Sequence, residues 1–344
     1  MNPYIQDILT QPEALRLALS NFSVENLGRV QHGLSQNEFD RILITGMGAS
    51  YNAAYPAYLY LTGQSIPVML VNAAELLHYS TGLIGRRSLL WLNSQSGRSI
   101  EVVRLLEKTK ATPPACILAS VNELDSPLAE AADACLPIYA GKEATVSTRT
   151  YLNMLAVNLL AAVALRGGDV QDATEKLASA ADAIQEYLSG WQSAISELDT
   201  KLGLVENLSI LGRGVSLAAV WNGSLINKEA AKCNFEGMNS ADFRHGPLEL
   251  VAPDLTVLVF AGEKKTAGLN RELALEVIRL GGRALWIAQE PDPDLPTLRL
   301  PAVDELALPL VEILPLQMLT ILMAQRNGLE AGKFRHVSKI TLRE

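Results

Sequence analysis

The strongest constraint on this chain is that it contains one turn twice. Residues 41–57 read RILITGMGASYNAAYPA and residues 207–223 read NLSILGRGVSLAAVWNG. Each is a short β-rich run that ends in Gly-x-Gly-x-Ser (Gly46, Gly48, Ser50; Gly212, Gly214, Ser216) and passes into an apolar helical pattern. The offset is 166 residues in a chain of 344, so two copies of one α/β unit are the simplest architecture.

The rest of the chain alternates as such units should. Strand-like runs lie at 66–71, 88–93, 115–120 and 134–138, with helical patterns at 50–62, 72–80, 99–110 and 148–166. The second half offers strands at 207–212, 255–261 and 283–288 and helices at 215–232, 264–280 and 304–327, with Pro309 and Pro315 breaking or kinking the last. Near-continuous apolar strands indicate parallel sheets covered on both faces. The expected fold class is α/β, with two tandem doubly wound parallel-sheet domains and helices on both faces. Expected boundaries are a helical lead-in at 1–38, a first domain at 39–168, a helical connector at 169–203 and a second domain with its tail at 204–344.

Acids outnumber bases 37 to 29, a formal charge of −8. That balance argues against a nucleic-acid partner, which needs a basic face to displace counterions, and against an anionic membrane surface. Cys116, Cys135 and Cys233 form no CxxC pair and read as reduced, small hydrophobes. No cationic apolar leader and no uninterrupted apolar run of about 18 residues is present, so a cytoplasmic protein is expected.

A Gly-x-Gly turn between strand and helix lets backbone approach an anion at a helix N-terminus. The dinucleotide version needs a third glycine and an acid ending the next strand; Tyr51 and Asn72 occupy those positions. No GxxxxGK[ST] loop occurs. More informative is Ser94-Gln95-Ser96-Gly97-Arg98-Ser99, between the run SLLWLN and the helical pattern IEVVRLLEK. Its hydroxyls and amide can converge on one phosphate; alternatively it is a polar loop with Ser99 as an N-cap. Ser147-Thr148 opens another helix after a strand-end loop, and ligands of open α/β sheets sit at the strands' carboxyl ends. Glu229 and His245, sixteen residues apart, could shuttle protons on a sugar, or could be a surface helix residue and a helix-ending residue. His32, His78 and His336 show no metal-ligand spacing, so no metal and no cofactor are expected.

Together these segments resemble the SIS (sugar isomerase) domain family, in particular the isomerase half of glutamine-dependent glucosamine-6-phosphate synthase and its stand-alone relatives. Gln11-Pro12-Glu13-Ala14-Leu15 resembles the lead-in helix, Gly46–Ala53 the first sugar-phosphate loop and Ser94–Gly97 the second. Ser147-Thr148-Arg149 resembles the family's Ser-Thr-Lys, Lys228-Glu229 with His245-Gly246-Pro247-Leu248 its catalytic segment, and Lys339–Glu344 its lysine-bearing tail. The resemblance implies that Ser50, Ser94, Gln95, Ser96 and Ser99 hold the phosphate of a sugar 6-phosphate. It implies Gly48, Ala49, Thr145, Ser147 and Ser338 as substrate-binding residues. Glu229 would carry the proton between C1 and C2, His245 would open the ring from the neighbouring subunit, and Lys339 would meet the open-chain sugar. A homodimer with composite sites follows from the same resemblance.

The departures carry information as well. The synthase has a glutamate seven residues and a lysine three residues before its catalytic glutamate; Asn222 and Ile226 stand there. No glutaminase segment is evident, and Arg98 replaces a common acidic residue, as in stand-alone deaminases. The expected activity is therefore isomerisation of a hexosamine 6-phosphate or related amino-sugar phosphate with C–N cleavage. The alternatives are a deglycase of a phosphorylated glycated amine, a plain aldose–ketose isomerase, or a non-catalytic sugar-phosphate sensor.

Overall fold

The computed structural model describes residues 1–63, 65–336, 338, 339 and 341. They form two compact units, each built on a five-stranded parallel sheet. The first comprises Glu13–Glu143, Ser147–Ala178 and the described part of Arg335–Glu344; the second comprises Met1–Pro12, Ala144–Val146 and Ser179–Phe334. This division differs from the boundaries read off the sequence: the first twelve residues join the C-terminal sheet and the described tail residues join the N-terminal one. Paired polar groups explain the first of these. Gln11 and Gln317 exchange two buried side-chain hydrogen bonds of 3.0 and 2.8 Å, and Asn2 Nδ2 donates to the Ala331 carbonyl at 3.0 Å.

The first sheet contains β1 (Arg41–Gly46), β2 (Val68–Asn72), β3 (Ser88–Asn93), β4 (Cys116–Val121) and β5 (Ala134–Pro137), in the order β2-β1-β3-β4-β5. The second contains β6 (Asn207–Gly212), β7 (Glu236–Asn239), β8 (Leu255–Phe260), β9 (Arg283–Ala288) and β10 (Thr297–Arg299), in the order β7-β6-β8-β9-β10. Counted from its own first strand, each sheet runs 2-1-3-4-5, and every pairing is parallel. The repeated turn thus marks a repeated topology. In both sheets the order reverses beside the first strand, between β1 and β3 and between β6 and β8. The loops diverge there and leave room for a ligand at the strands' carboxyl ends.

Every residue of β3, β4 and β8 is buried, as continuous apolar runs require. The sequence reading missed β7 and β10. Both are edge strands with one neighbour, four and three residues long, so neither needs an apolar run. One core cluster joins Leu43, Leu90, Leu92 and Ile117 to Leu76, Leu77, Val102 and Leu105. Its counterpart joins Leu211, Val257, Val259 and Trp286 to Leu273, Ala274 and Val277. The helix Arg149–Leu165 is buried from Thr150 onward and packs on Gly48–Leu61, which explains why its sequence is apolar all round. The stretch Glu305–Arg326 is long and apolar enough to cross a membrane, yet 94% of its 18-residue apolar window is buried within the protein. It is interrupted after Val311 and resumes as Leu314–Arg326 with Pro315 in its first turn.

Candidate functional site

The hydroxyl turn of the first unit lies at the carboxyl end of β3, beside the point where the strand order reverses. Ser94 and Ser96 are buried, only 3% and 4% exposed. Ser94 Oγ accepts from the Gly97 N–H at 3.1 Å and lies 3.2 Å from Ser99 Oγ, while Ser96 Oγ accepts from the Arg98 N–H at 3.2 Å. Ser99 stands at the N-cap of the helix Ile100–Thr109, but its side chain makes no capping hydrogen bond. The capping alternative therefore fails for its hydroxyl. The three serines lie in the turn that opens one helix, Ser94 and Ser99 with their hydroxyls together, an arrangement suited to a phosphate. Gly97 makes the turn possible: its φ is +60°, and a Cβ there would collide with Ser126 Oγ. Gln95 is tied by its carbonyl to the Asn122 N–H at 3.0 Å and by Nε2 to Glu123 at 3.4 Å. Arg98 points to Asp125, donating to its carbonyl at 2.6 Å. Gly48, Ala49 and Ser50 open the helix Gly48–Leu61 after β1, and Ser50 is half-buried.

A residue that the sequence reading missed organises the next loop. The Glu143 side chain has no exposed surface. Its carboxylate accepts from the Thr148 N–H and hydroxyl, both at 2.7 Å, from the Thr150 hydroxyl at 2.7 Å, and from Lys339 Nζ at 3.0 Å. Lys339 also donates to the Glu143 carbonyl at 2.8 Å. Thr148 is thereby committed to Glu143, and Ser147 Oγ pairs with Thr150 Oγ1 at 2.5 Å. The Thr341 carbonyl accepts from the Ile100 N–H at 3.2 Å, so the tail touches both this loop and the hydroxyl-turn helix. No motif announces Glu143; a lone acid before Ser-Thr was its only signal. Ser338 is exposed, and Ile340 and Leu342–Glu344 of the tail lie outside the described residues.

In the second unit, the helix Leu217–Ile226 gives way to a π-turn at Asn227–Ala231 that carries Glu229. Such wider turns concentrate at functional positions. Burial pushes the Glu229 carboxyl up to about 7, against the opposing field of Lys232. Lys232 Nζ donates to the Glu229 carbonyl and, at 2.9 Å, to that of Lys333. Glu229 is thus not the exposed helix residue of the bland alternative. His245 follows the short helix Ser240–Arg244, its N–H bonded to the Asp242 carbonyl at 2.9 Å, and its ring is exposed. No hydrogen bond or ion pair joins it to Glu229 among the described residues. Thr145 belongs to this unit, and its Oγ1 is buried without a hydrogen-bond partner.

The second copy of the Gly-x-Gly-x-Ser turn has a different fate. Ser216 is fully buried and donates to Glu312 Oε1 at 2.7 Å. A Cβ on Gly214, at φ +56°, would collide with Glu263 Oε2. The Ser216 hydroxyl is thus committed to a buried carboxyl, and Glu263 adds a second carboxyl beside the turn, so this copy offers no serine hydroxyl to an anion. Burial, with Glu263 adding to it, pushes the Glu312 carboxyl up to about 8. A cavity of about 550 Å³ opens at the carboxyl ends of β8 and β9, lined by Lys264, Trp286, Asp292 and Glu305; none of the residues singled out in the sequence lines it. Among the described residues, no group of three or more His, Cys, Asp or Glu side chains could hold a metal.

Residues 35–164 match the SIS domain family. Over 343 residues the chain is 29% identical to glutamine–fructose-6-phosphate aminotransferase (isomerizing) of Pyrococcus horikoshii, an overlap of 97% of this chain and 56% of that protein. The chain spans about half the length of the curated relatives it matches. Its fold is that of the C-terminal domain of glucosamine-fructose-6-phosphate aminotransferase from Francisella tularensis, with a TM-score of 0.82, 22% identity and coverage of 95% and 97% of the two chains. Glucosamine-6-phosphate deaminase from Thermotoga maritima has the same fold, with a TM-score of 0.78, 19% identity and coverage of 98% and 99%. The matching segment encloses the whole first sheet, with the serine turn at its switch point, so residues 35–164 of this chain form a SIS domain, and the chain as a whole shares the fold of these solved structures.

Proposed function

We propose that this chain is a phosphosugar isomerase acting on a hexosamine 6-phosphate, coupling aldose–ketose isomerisation to carbon–nitrogen cleavage. Glu229 carries the reading. A carboxyl pushed up to about 7 can both take and return a proton near neutral pH, which a shuttle between adjacent carbons requires. The turn Ser94–Ser99, with Ser50, holds the phosphate. His245 assists ring opening, and Lys339 meets the open-chain carbonyl. Glu229 then takes the proton from C2 and returns it to C1, leaving an imine at C2. Water adds to that imine and ammonia leaves, so the products are a ketose 6-phosphate and ammonia. Ile226 is fully buried where the synthase that the chain resembles has a lysine, which favours breaking the C–N bond over making it. A sugar-phosphate sensor would need the serine turn but no carboxyl tuned to neutrality. The exposed ring of His245 supports a homodimer in which it serves the neighbouring subunit's site.

The test is ammonia release from glucosamine 6-phosphate by the purified chain, run beside a glutamine-plus-fructose-6-phosphate assay. The expected result is release in the first assay only, with Glu229→Gln losing ~10²–10⁴-fold in turnover while still binding substrate. Formation of amino sugar from glutamine overturns the reading. Turnover of a phosphorylated glycated amine or a plain hexose phosphate alone would replace the substrate.

A further inference from the structure

We propose that Lys232 is the positioning residue for Glu229: its ammonium clamps the turn that presents the carboxylate and supplies the positive charge under which that carboxylate exchanges protons. The inference rests on the reading of Glu229 as the acid–base group.

The backbone points to it first. The π-turn Asn227–Ala231 ends on Lys232 at φ +60°, a left-handed conformation that disfavours any residue carrying a Cβ. Glycine would close the turn without strain; lysine adds an ammonium. That ammonium bridges the carbonyl of Glu229 to the carbonyl of Lys333 at 2.9 Å. Two further bonds pin the same turn: Asn327 Nδ2 donates to the Ala231 carbonyl at 3.2 Å, and the Gly332 N–H donates to the Ala230 carbonyl at 3.4 Å. Neither of these carries charge to Glu229.

Among the described residues, the other charged groups around the turn are engaged elsewhere or turned outward. Arg326, the charged residue of the packed helix Leu314–Arg326, is bound to Asp199 at 2.5 Å. Glu330 and Lys333 pair with each other at 3.5 Å, Lys228 is exposed, and Leu217–Ile226 carries no charged residue. Lys232 is therefore the cation that opposes the burial of Glu229. Without it, the carboxyl would hold its proton to higher pH and the base form would be scarcer at neutrality.

The experiment compares wild type, Lys232→Met, Lys232→Gly and Lys232→Arg by the pH profile of kcat/KM on glucosamine 6-phosphate, and by carboxyl ¹³C NMR titration of Glu229 in protein labelled at glutamate. The Glu229 signal is identified by its loss in Glu229→Gln. The Met and Gly variants should titrate Glu229 higher by roughly half a pH unit, and the acid limb of activity should move with it. The Arg variant should restore the wild-type position. If the Met variant fails to fold, the Gly variant, which relieves the left-handed backbone, carries the test. An unchanged Glu229 titration in the Met and Gly variants overturns the proposal. Undiminished turnover by Glu229→Gln would instead defeat the acid–base reading, and the NMR titration separates the two outcomes because it needs no turnover.

Discussion

Glu312 should make this protein lose stability as the pH rises, and replacing it with glutamine should remove the larger part of that loss. The carboxyl is fully buried, receives one hydrogen bond from Ser216 and leaves Oε2 unpartnered beside Glu263. Its value rises from 4.5 in the unfolded chain to about 8 in the fold. Between those two pH values the folded state therefore binds the extra proton, and stability falls as pH rises. At 1.36 kcal/mol per pH unit the whole effect amounts to about 5 kcal/mol, of which about 3.5 kcal/mol falls between pH 5 and pH 8. Glu229, raised to about 7, acts with the same sign and adds ~2–3 kcal/mol over that range. Asp40 and Asp292, held below the usual carboxylate range by Arg41 and Arg271, act only at lower pH. The three cysteine thiols, all pushed up by burial, act with the same sign only above about pH 8.5. Thermal and urea unfolding of wild type, Glu312→Gln and Glu229→Gln at pH 5, 6.5 and 8 therefore isolates the carboxyls. Glu312→Gln should lose more than half of the wild-type decline and unfold about 7–14 °C above wild type at pH 8, at 2–4 °C per kcal/mol. A variant with the wild-type slope would show that Glu312 is ionised in the fold and refute the reasoning.

Two further outcomes are expected. Ser96→Ala with Ser99→Ala should weaken calorimetric binding of hexose 6-phosphates by a few kcal/mol, at ~1–3 kcal/mol per charge-assisted bond, with little change in ligand-free stability; unchanged affinity would return these serines to a local structural role. If sites are composite across a homodimer, mixing Glu229→Gln with His245→Ala subunits should restore part of the lost activity after exchange, because one site regains both groups. No complementation after demonstrated exchange would place both residues in one subunit's site.

The division between what sequence and structure decide follows the range of the forces involved. Strands β3, β4 and β8 and the helices around them are written in local apolar periodicity, and the repeated Gly-x-Gly-x-Ser turn announces two like units. The serine turn was legible for the same local reason: hydroxyls and a glycine must be adjacent in sequence to fold into one turn. The two edge strands β7 and β10 carried no such signal, because an edge buries too little to require an apolar run. The grouping of the first twelve residues with the C-terminal sheet depends on Gln11 meeting Gln317 across 306 positions. The same holds for Glu143, whose partner Lys339 lies 196 residues away. The sequence by itself thus determined the two α/β units, the turn suited to phosphate and the candidate catalytic residues. Only the tertiary structure decided that Ser216 is spent on a buried carboxyl while Ser99 pairs with Ser94 instead of capping its helix, and that Glu229 sits where burial and Lys232 oppose each other. Desolvation and long-range pairing are properties of the folded surroundings, and no stretch of contiguous residues encodes them.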